Sequence, residues 1–278
     1  MIFRMSSLRA LYKKVKSIWF VFAGKKPWSR GYGEYKAIAI EKVLASGEFR
    51  SDELDKGYGF RLDERIVEYG WFISRLPAVT GRLLDAGSVL NFDYILNQPA
   101  LKLKKIFIST LAPEPLCYWH MGVSYVYEDL RDSCFKDEYF DWIVSLSTIE
   151  HIGLDNTMLY TAEASKNENA GDSCLQAVKE YRRVLKPGGT LYLSFPFGRH
   201  VNRGWFQIFD AAMLDQVVEA FSPSSVNEFH YKYEPDGWRV SSREESKDST
   251  YFDIHTQNAY DKDFAAASRA IVCLELTK

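Results

Sequence analysis

The segment Tyr181–Gly198, Tyr-Arg-Arg-Val-Leu-Lys-Pro-Gly-Gly-Thr-Leu-Tyr-Leu-Ser-Phe-Pro-Phe-Gly, joins a helix end, a tight turn and a strand with no residue to spare. Leu175, Val178, Tyr181 and Leu185 recur at helical spacing, with Asp172 placed as the N-cap of the helix they mark. Pro187 cannot continue that helix, because it has no N–H to donate and its ring collides with the preceding turn. Gly188 and Gly189 permit the positive φ that reverses the chain. Thr190–Phe195 is then short and rich in branched and aromatic residues, which suits a strand covered on both faces, as in α/β proteins.

Two upstream segments have matching character. Phe135–Asp141 leads into the apolar run Trp142–Leu146, which reads as a buried central strand ending in Ser147-Thr148-Ile149-Glu150-His151. Gly81–Ser88 (Gly-Arg-Leu-Leu-Asp-Ala-Gly-Ser) reads as a buried strand, an acid and a glycine turn. In open parallel sheets ligands bind beyond the carboxyl ends of the strands, where the strand order reverses. Asp85–Asn91 and Ser147–His151 are therefore expected to face one crevice.

These three units resemble the first, fourth and fifth strands of class I S-adenosylmethionine (SAM) methyltransferases. The resemblance spans residues 80–221, with Ala270–Leu276 as the last strand. It implies an α/β fold with a doubly wound, mostly parallel seven-stranded sheet. The runs Thr148–Asn156 and Gly204–Asp210 are also similar to methyltransferases encoded with bacterial surface-polysaccharide genes.

Bulk properties suit a soluble enzyme. The 278 residues, 46% of them hydrophobic, suffice for one large α/β domain with an N-terminal extension. The expected division is a basic amphipathic segment over 1–33, a helical extension or lid over 34–79, and a catalytic domain over 80–278. Substrate-binding insertions are expected at 199–209 and 235–264, and Thr161–Gly171 is the nearest candidate for a mobile loop. Cys117, Cys134, Cys174 and Cys273 show no metal or C-x-x-C spacing, so a reduced cytoplasmic setting with no disulfide and no zinc is expected.

Charge is informative through its distribution. Residues 1–33 contain eight basic residues and no acid, leaving −10 for the rest of a chain whose net charge is −2. Ile18–Ala23 is apolar but far short of the roughly 20 residues needed to span a bilayer. A secretory signal is not expected either. The stripe Leu8, Leu11, Val15, Ile18, Trp19 and Phe22 suits contact of residues 1–26 with an anionic membrane face; the alternative is a helix that packs on the catalytic domain or a second subunit. Nucleic acid is not an expected partner, since the remaining chain is acidic and no reader motif appears.

SAM offers a sulfonium cation, an amino acid end, a ribose and an adenine. Its site needs close backbone approach at the amino acid end and acceptors for the ribose hydroxyls and the adenine amine. The resemblance places Asp85, Ala86, Gly87, Ser88 and Asn91 at the amino acid end, with Asp85 receiving the ammonium directly or through water. Val89 and Asn91 stand where the family has its second and third glycines, so the loop must take a different path. Thr110 replaces the usual ribose acid, with Glu114 as a compensating acid one turn later. Asp129 and Leu130 fall at the adenine position, and Ser147 and Glu150 beside the sulfonium.

Methyl transfer is an in-line displacement that gains much of its rate from alignment. A hydroxyl acceptor also needs a base, for which His151 is the leading candidate and His200 and Asp155 are rivals. Arg199, His200, Asn202, Trp205, Trp238 and Tyr251 suit stacking on a sugar ring and bonding its hydroxyls. No histidine or carboxylate pair has metal spacing. The expectation is O-methylation of a sugar hydroxyl in a surface polysaccharide or its precursor. Alternatives are N- or carboxyl-methylation of a small metabolite, or a SAM-binding partner of a glycan-assembly complex without turnover. An oligomer is compatible with either.

Overall fold

The computed structural model describes residues 2–278 other than Met158, Tyr160 and Thr161, and it does not describe the side chains of residues 2–10 or Lys166. The side chain of Leu8 in the apolar stripe and Thr161 of the expected loop thus lie outside what is described. Three helices come first: α1 (Ile2–Phe22), α2 (Tyr32–Ser46) and α3 (Arg65–Arg75). The chain continues through β1 (Gly81–Ala86), α4 (Asp93–Leu96), α5 (Pro99–Lys102), β2 (Lys104–Thr110), β3 (Ser124–Tyr127) and β4 (Phe140–Leu146). Then follow α6 (Cys174–Val184), β5 (Leu185–Pro196), the short pair β6 (Val201–Asn202) and β7 (Gln207–Ile208), and α7 (Ala211–Phe221). The last elements are β8 (Ser225–Glu234), β9 (Gly237–Ser241), α8 (Arg243–Ser246) and β10 (Ala270–Thr277).

Among the described residues the main sheet has eight strands in the order β3-β2-β1-β4-β5-β10-β8-β9. Strands β1 to β5 pair in parallel. β10 runs antiparallel between β5 and β8. This is the doubly wound, Rossmann-like sheet expected of a methyltransferase, with eight strands where seven were anticipated. The additional strand is β9, which lies with α8 inside residues 235–264, so that insertion is partly a hairpin on the sheet edge. The strand order reverses between β1 and β4, which places the crevice at their carboxyl ends.

Side-chain alternation explains the layers, because successive residues of a strand point to opposite faces. Leu83, Val144, Tyr192 and Cys273 join one core with Phe20, Ile66, Trp71 and Phe72 from the N-terminal helices. Their neighbours Leu84, Ile143, Leu191 and Val272 join the opposite core with Val178, Tyr181, Leu214 and Val217 from α6 and α7. Residues 34–79 are thus a wall of the molecule, with Trp71 and Phe72 fully buried.

Two local expectations need correction. Asp172 is not the N-cap of α6; it sits in a 3-10 turn, Gly171–Ser173, that leads into the helix at Cys174. Helix α6 ends at Val184, and pairing to β4 begins at once with Leu185 opposite Phe140. Gly188 has the positive φ of 75° required to reverse the chain. A Cβ on Gly189 would lie 2.9 Å from the Asp141 carbonyl oxygen, so this turn needs glycine for space as well.

Candidate active site

The carboxyl ends of β1 to β4 enclose a cavity of about 350 Å³, within the range of roughly 300–1,000 Å³ usual for small-molecule sites. Its walls include Gly87, Thr110, Asp129, Leu130 and His151, all expected from the sequence. Thr148, within the expected run Ser147–His151, lines it as well, and Glu128, Arg131, Asn156 and Glu168 line it without having been singled out.

The loop after β1 is held from below. Asp85 is fully buried, and its two oxygens accept from Val89 N at 2.9 Å and Leu90 N at 2.7 Å. Burial pushes this carboxyl up to about 7, against the opposing pull of those two bonds. Fully buried and bonded to the loop's own N–H groups, Asp85 shapes the cofactor turn and does not line the cavity. Gly87 (φ 121°) and Ser88 (φ 61°) carry the positive φ, in place of Val89 and Asn91. A Cβ on Gly87 would sit 2.4 Å from Thr148 Oγ1, so the β1 and β4 loops touch only because residue 87 is glycine. Ala86 is fully buried in the core, and the Ser88 hydroxyl is buried without a partner. Asn91 donates to Leu116 O and accepts from the Tyr125 hydroxyl, which makes it a loop tie outside the cavity wall.

At the end of β2, Thr110 is 1% exposed and its hydroxyl has no partner. Glu114 does not reach the cavity wall, whereas Glu128 does, held by the Ser109 and Ser133 hydroxyls at 2.8 and 3.0 Å. Asp129 accepts from Arg131 Nε and Nη2, and that guanidinium holds its carboxyl below the usual range despite partial burial. Arg131 also makes two bonds to Glu168, at 2.5 and 2.6 Å, joining the β3 end to the segment before α6. Thirty-seven residues separate Arg131 from Glu168, so no local pattern announces the pair. Glu128, next to Asp129, was the one omission that its position in the sequence marked.

At the end of β4, Ser147 has φ 39°, unusual for a residue with a Cβ. Thr148 reaches the cavity, while Ser147 and Glu150 lie behind it. Glu150 is 2% exposed, one carboxyl oxygen has no partner, and burial raises its pKa well above the usual range. Glu150 thus lies behind the cavity wall, with Oε1 3.9 Å from His151 Nε2.

His151 Nδ1 lies 2.8 Å from the Trp205 carbonyl oxygen. A carbonyl only accepts, so Nδ1 carries the proton and Nε2 keeps the lone pair. Burial lowers the imidazole pKa to about 4, keeping it neutral. The Trp205 ring stacks on the imidazole with centroids 5.3 Å apart.

The hairpin over 199–209 thus meets the β4 end through Trp205, but its other nominated residues stand apart. His200 is exposed and bonded to Ile208 O, Arg199 is exposed, and Asn202 caps its own turn through Gly204 N. None of the three lines the cavity. Tyr251 packs on Phe206 with centroids 4.3 Å apart. Trp238 is a core residue, 2% exposed and bonded to Leu62 O at 3.0 Å, which removes it from the acceptor site. Among the described residues no cluster of histidine, cysteine or carboxylate side chains is arranged to hold a metal ion.

Residues 105–193, from β2 into β5, match the family model of a methyltransferase domain. That match covers 89 of the 278 residues and marks the stretch as similar to a methyltransferase domain, a kind of transferase whose cofactor is SAM. No curated protein sequence matches the chain. Among solved structures, the CurJ carbon methyltransferase is 13% identical, with a TM-score of 0.42 over 77% of this chain, which spans 54% of that one. A SAM-dependent methyltransferase from Archaeoglobus fulgidus is 9% identical, with a TM-score of 0.47, over 78% of this chain and 96% of that one. A Burkholderia thailandensis 1,6-didemethyltoxoflavin N1-methyltransferase, solved with that substrate and S-adenosylhomocysteine, is 14% identical, with a TM-score of 0.44, over 88% and 90%. Similarities this distant carry nothing about acceptor or chemistry.

The cavity's own residues fit the cofactor. The unpartnered Thr110 hydroxyl suits a ribose hydroxyl, and the contact of Gly87 with Thr148 leaves backbone, not side chain, at the amino acid end.

Proposed function

We propose that the protein methylates a hydroxyl of a sugar, in a surface polysaccharide or its precursor, with His151 as the base. The observation that carries this reading is the orientation of His151. The Trp205 carbonyl takes the Nδ1 proton, leaving Nε2 as the proton acceptor on a residue of the cavity wall. SAM supplies the electrophilic methyl group when bound. Gly87 gives close backbone approach, Thr110 and Glu128 meet the ribose, and Asp129 with Leu130 meets the adenine. His151 takes the proton from the acceptor hydroxyl as the oxygen attacks, and Trp205 holds the imidazole flat for that purpose. Asn156 and the aromatic hairpin bound the acceptor side.

The test is release of S-adenosylhomocysteine by the purified protein from SAM with nucleotide sugars, lipid-linked sugars, small amines and small carboxylates as acceptors. Methylation of sugars that is lost in His151→Ala supports the proposal. Turnover on amines or carboxylates alone overturns the sugar assignment while leaving the cofactor in place.

We further propose that α1 rests on an anionic membrane face. Leu11, Val15, Ile18, Trp19 and Phe22 form its outward stripe, and Trp19 is 59% and Phe22 86% exposed. Phe20, next to Trp19, faces the other way and is fully buried against Tyr32 and Tyr35. No described helix is long and apolar enough to cross a membrane.

A further inference from the structure

Helix α3 underpins the cavity at three points. The Tyr69 hydroxyl donates to Val89 O in the β1 loop at 2.5 Å. Glu68, 0% exposed, accepts on one oxygen from the hydroxyls of Ser147 and Ser194, each at 2.6 Å. Arg65 donates to the other Glu68 oxygen at 3.0 Å and to Leu146 O at 2.8 Å. The Glu68 and Arg65 bonds converge on Ser147, whose φ of 39° is a conformation that glycine adopts freely and other residues hold only where the surroundings compel it. The next residue, Thr148, packs against Gly87, and His151 follows three residues later. A carboxylate with two hydroxyls and a guanidinium around it is fully satisfied, and all of its bonds except that to Ser194 lead to this one corner.

We propose that Glu68, braced by Arg65, is a positioning residue for methyl transfer: it holds Ser147 in its left-handed conformation and thereby sets Thr148 against Gly87 and His151 at the cavity wall. The N-terminal extension is then part of the catalytic machinery. The proposal rests on the reading of His151 as the base, and the experiment separates the two.

The chain has five histidines, so the imidazoles can be followed individually by NMR in protein labelled with nitrogen-15 histidine, and S-adenosylhomocysteine affinity by calorimetry. In Glu68→Gln the His151 Nδ1–H signal is expected to shift or vanish, and affinity to fall by about tenfold, as for losing one hydrogen bond to a charged group. Adding Ser147→Gly, which adopts positive φ without help, should restore much of both. Arg75→Ala is the control, since it breaks the Arg75–Glu275 pair at the other end of α3, and it should leave both readouts as in the wild type. Unchanged signal and affinity in folded Glu68→Gln overturn the proposal, as does Arg75→Ala reproducing the losses. Should Glu68→Gln not fold, Ser147→Ala removes one tie and must move the His151 signal in the same direction, or the proposal fails. Wild-type protein that binds no S-adenosylhomocysteine would sink the cofactor assignment, while the histidine signals still decide the role of Glu68.

Discussion

At the scale of single residues, proton transfer and backbone space make separable predictions. His151→Ala should lower turnover by about 100-fold or more with little change in cofactor affinity, since a base acts on the acceptor in the transition state. Its pKa is lowered by burial from 6.5 to about 4, so the acid limb of the rate profile should lie well below that of an ordinary histidine. An acid limb near 6.5 in kcat/KM would place the essential base elsewhere. Gly87→Ala tests geometry instead of charge. The added methyl meets Thr148 at 2.4 Å and the φ of 121° disfavours any side chain, so cofactor binding should suffer more than thermal stability. Trp238→Ala should do the reverse, costing about 3–5 kcal/mol of stability as a large core truncation and leaving KM for the acceptor unchanged.

Among elements, those whose roles follow from local chemistry were legible in advance, and those defined by distant contacts were not. β1, β4 and β10 fall within two residues of their expected bounds, because a run buried on both faces has only one way to be apolar. β9 and α8 were missed: an edge hairpin needs little apolar sequence, and Trp238 looked like a sugar platform until its indole was found under Leu62. Asp129 and His151 were found at the cavity because their strand-end positions mark them, whereas Arg131–Glu168 and the ties from α3 join segments far apart in the chain. α1 shows both sides of this. Its outward stripe was read from spacing, but Lys13 and Lys16, two of the eight basic residues of 1–33, are paired to Glu41 and Glu34 on α2. Binding of the protein to vesicles of anionic lipid should therefore depend more on Trp19 and Phe22 than on these lysines. Trp19→Ser with Phe22→Ser should abolish co-sedimentation, and equal sedimentation of wild type and variant would remove the membrane from the account.

For the whole molecule, burial of carboxyls sets the dependence of stability on pH. Burial first, and neighbouring acids second, raise Glu64 from 4.5 to about 8, and burial raises Asp85 from 3.8 to about 7. The folded protein therefore holds protons that the unfolded chain has released between about pH 4 and 8, and stability falls as pH rises through that window. His151 works the other way, its contribution growing as pH rises from about 4 to 6.5 and then staying constant. Above 6.5 the carboxyls act without that opposition, so the melting temperature should drop between pH 6.5 and 8, and Glu64→Gln should lessen the drop. A rising melting temperature over that interval would show that these acids ionise in the folded state without penalty. The strand order has a further consequence at this scale. The sheet ends in β3, four residues long, and β9, five residues long, where Arg239 is paired to Glu234 and Glu245. Short borders guarded by charge are poor templates for a strand from another molecule, so crowding should not drive this protein into ribbons. Neighbours that it meets must engage it through side chains, because the backbone ladder offers them almost nowhere to continue.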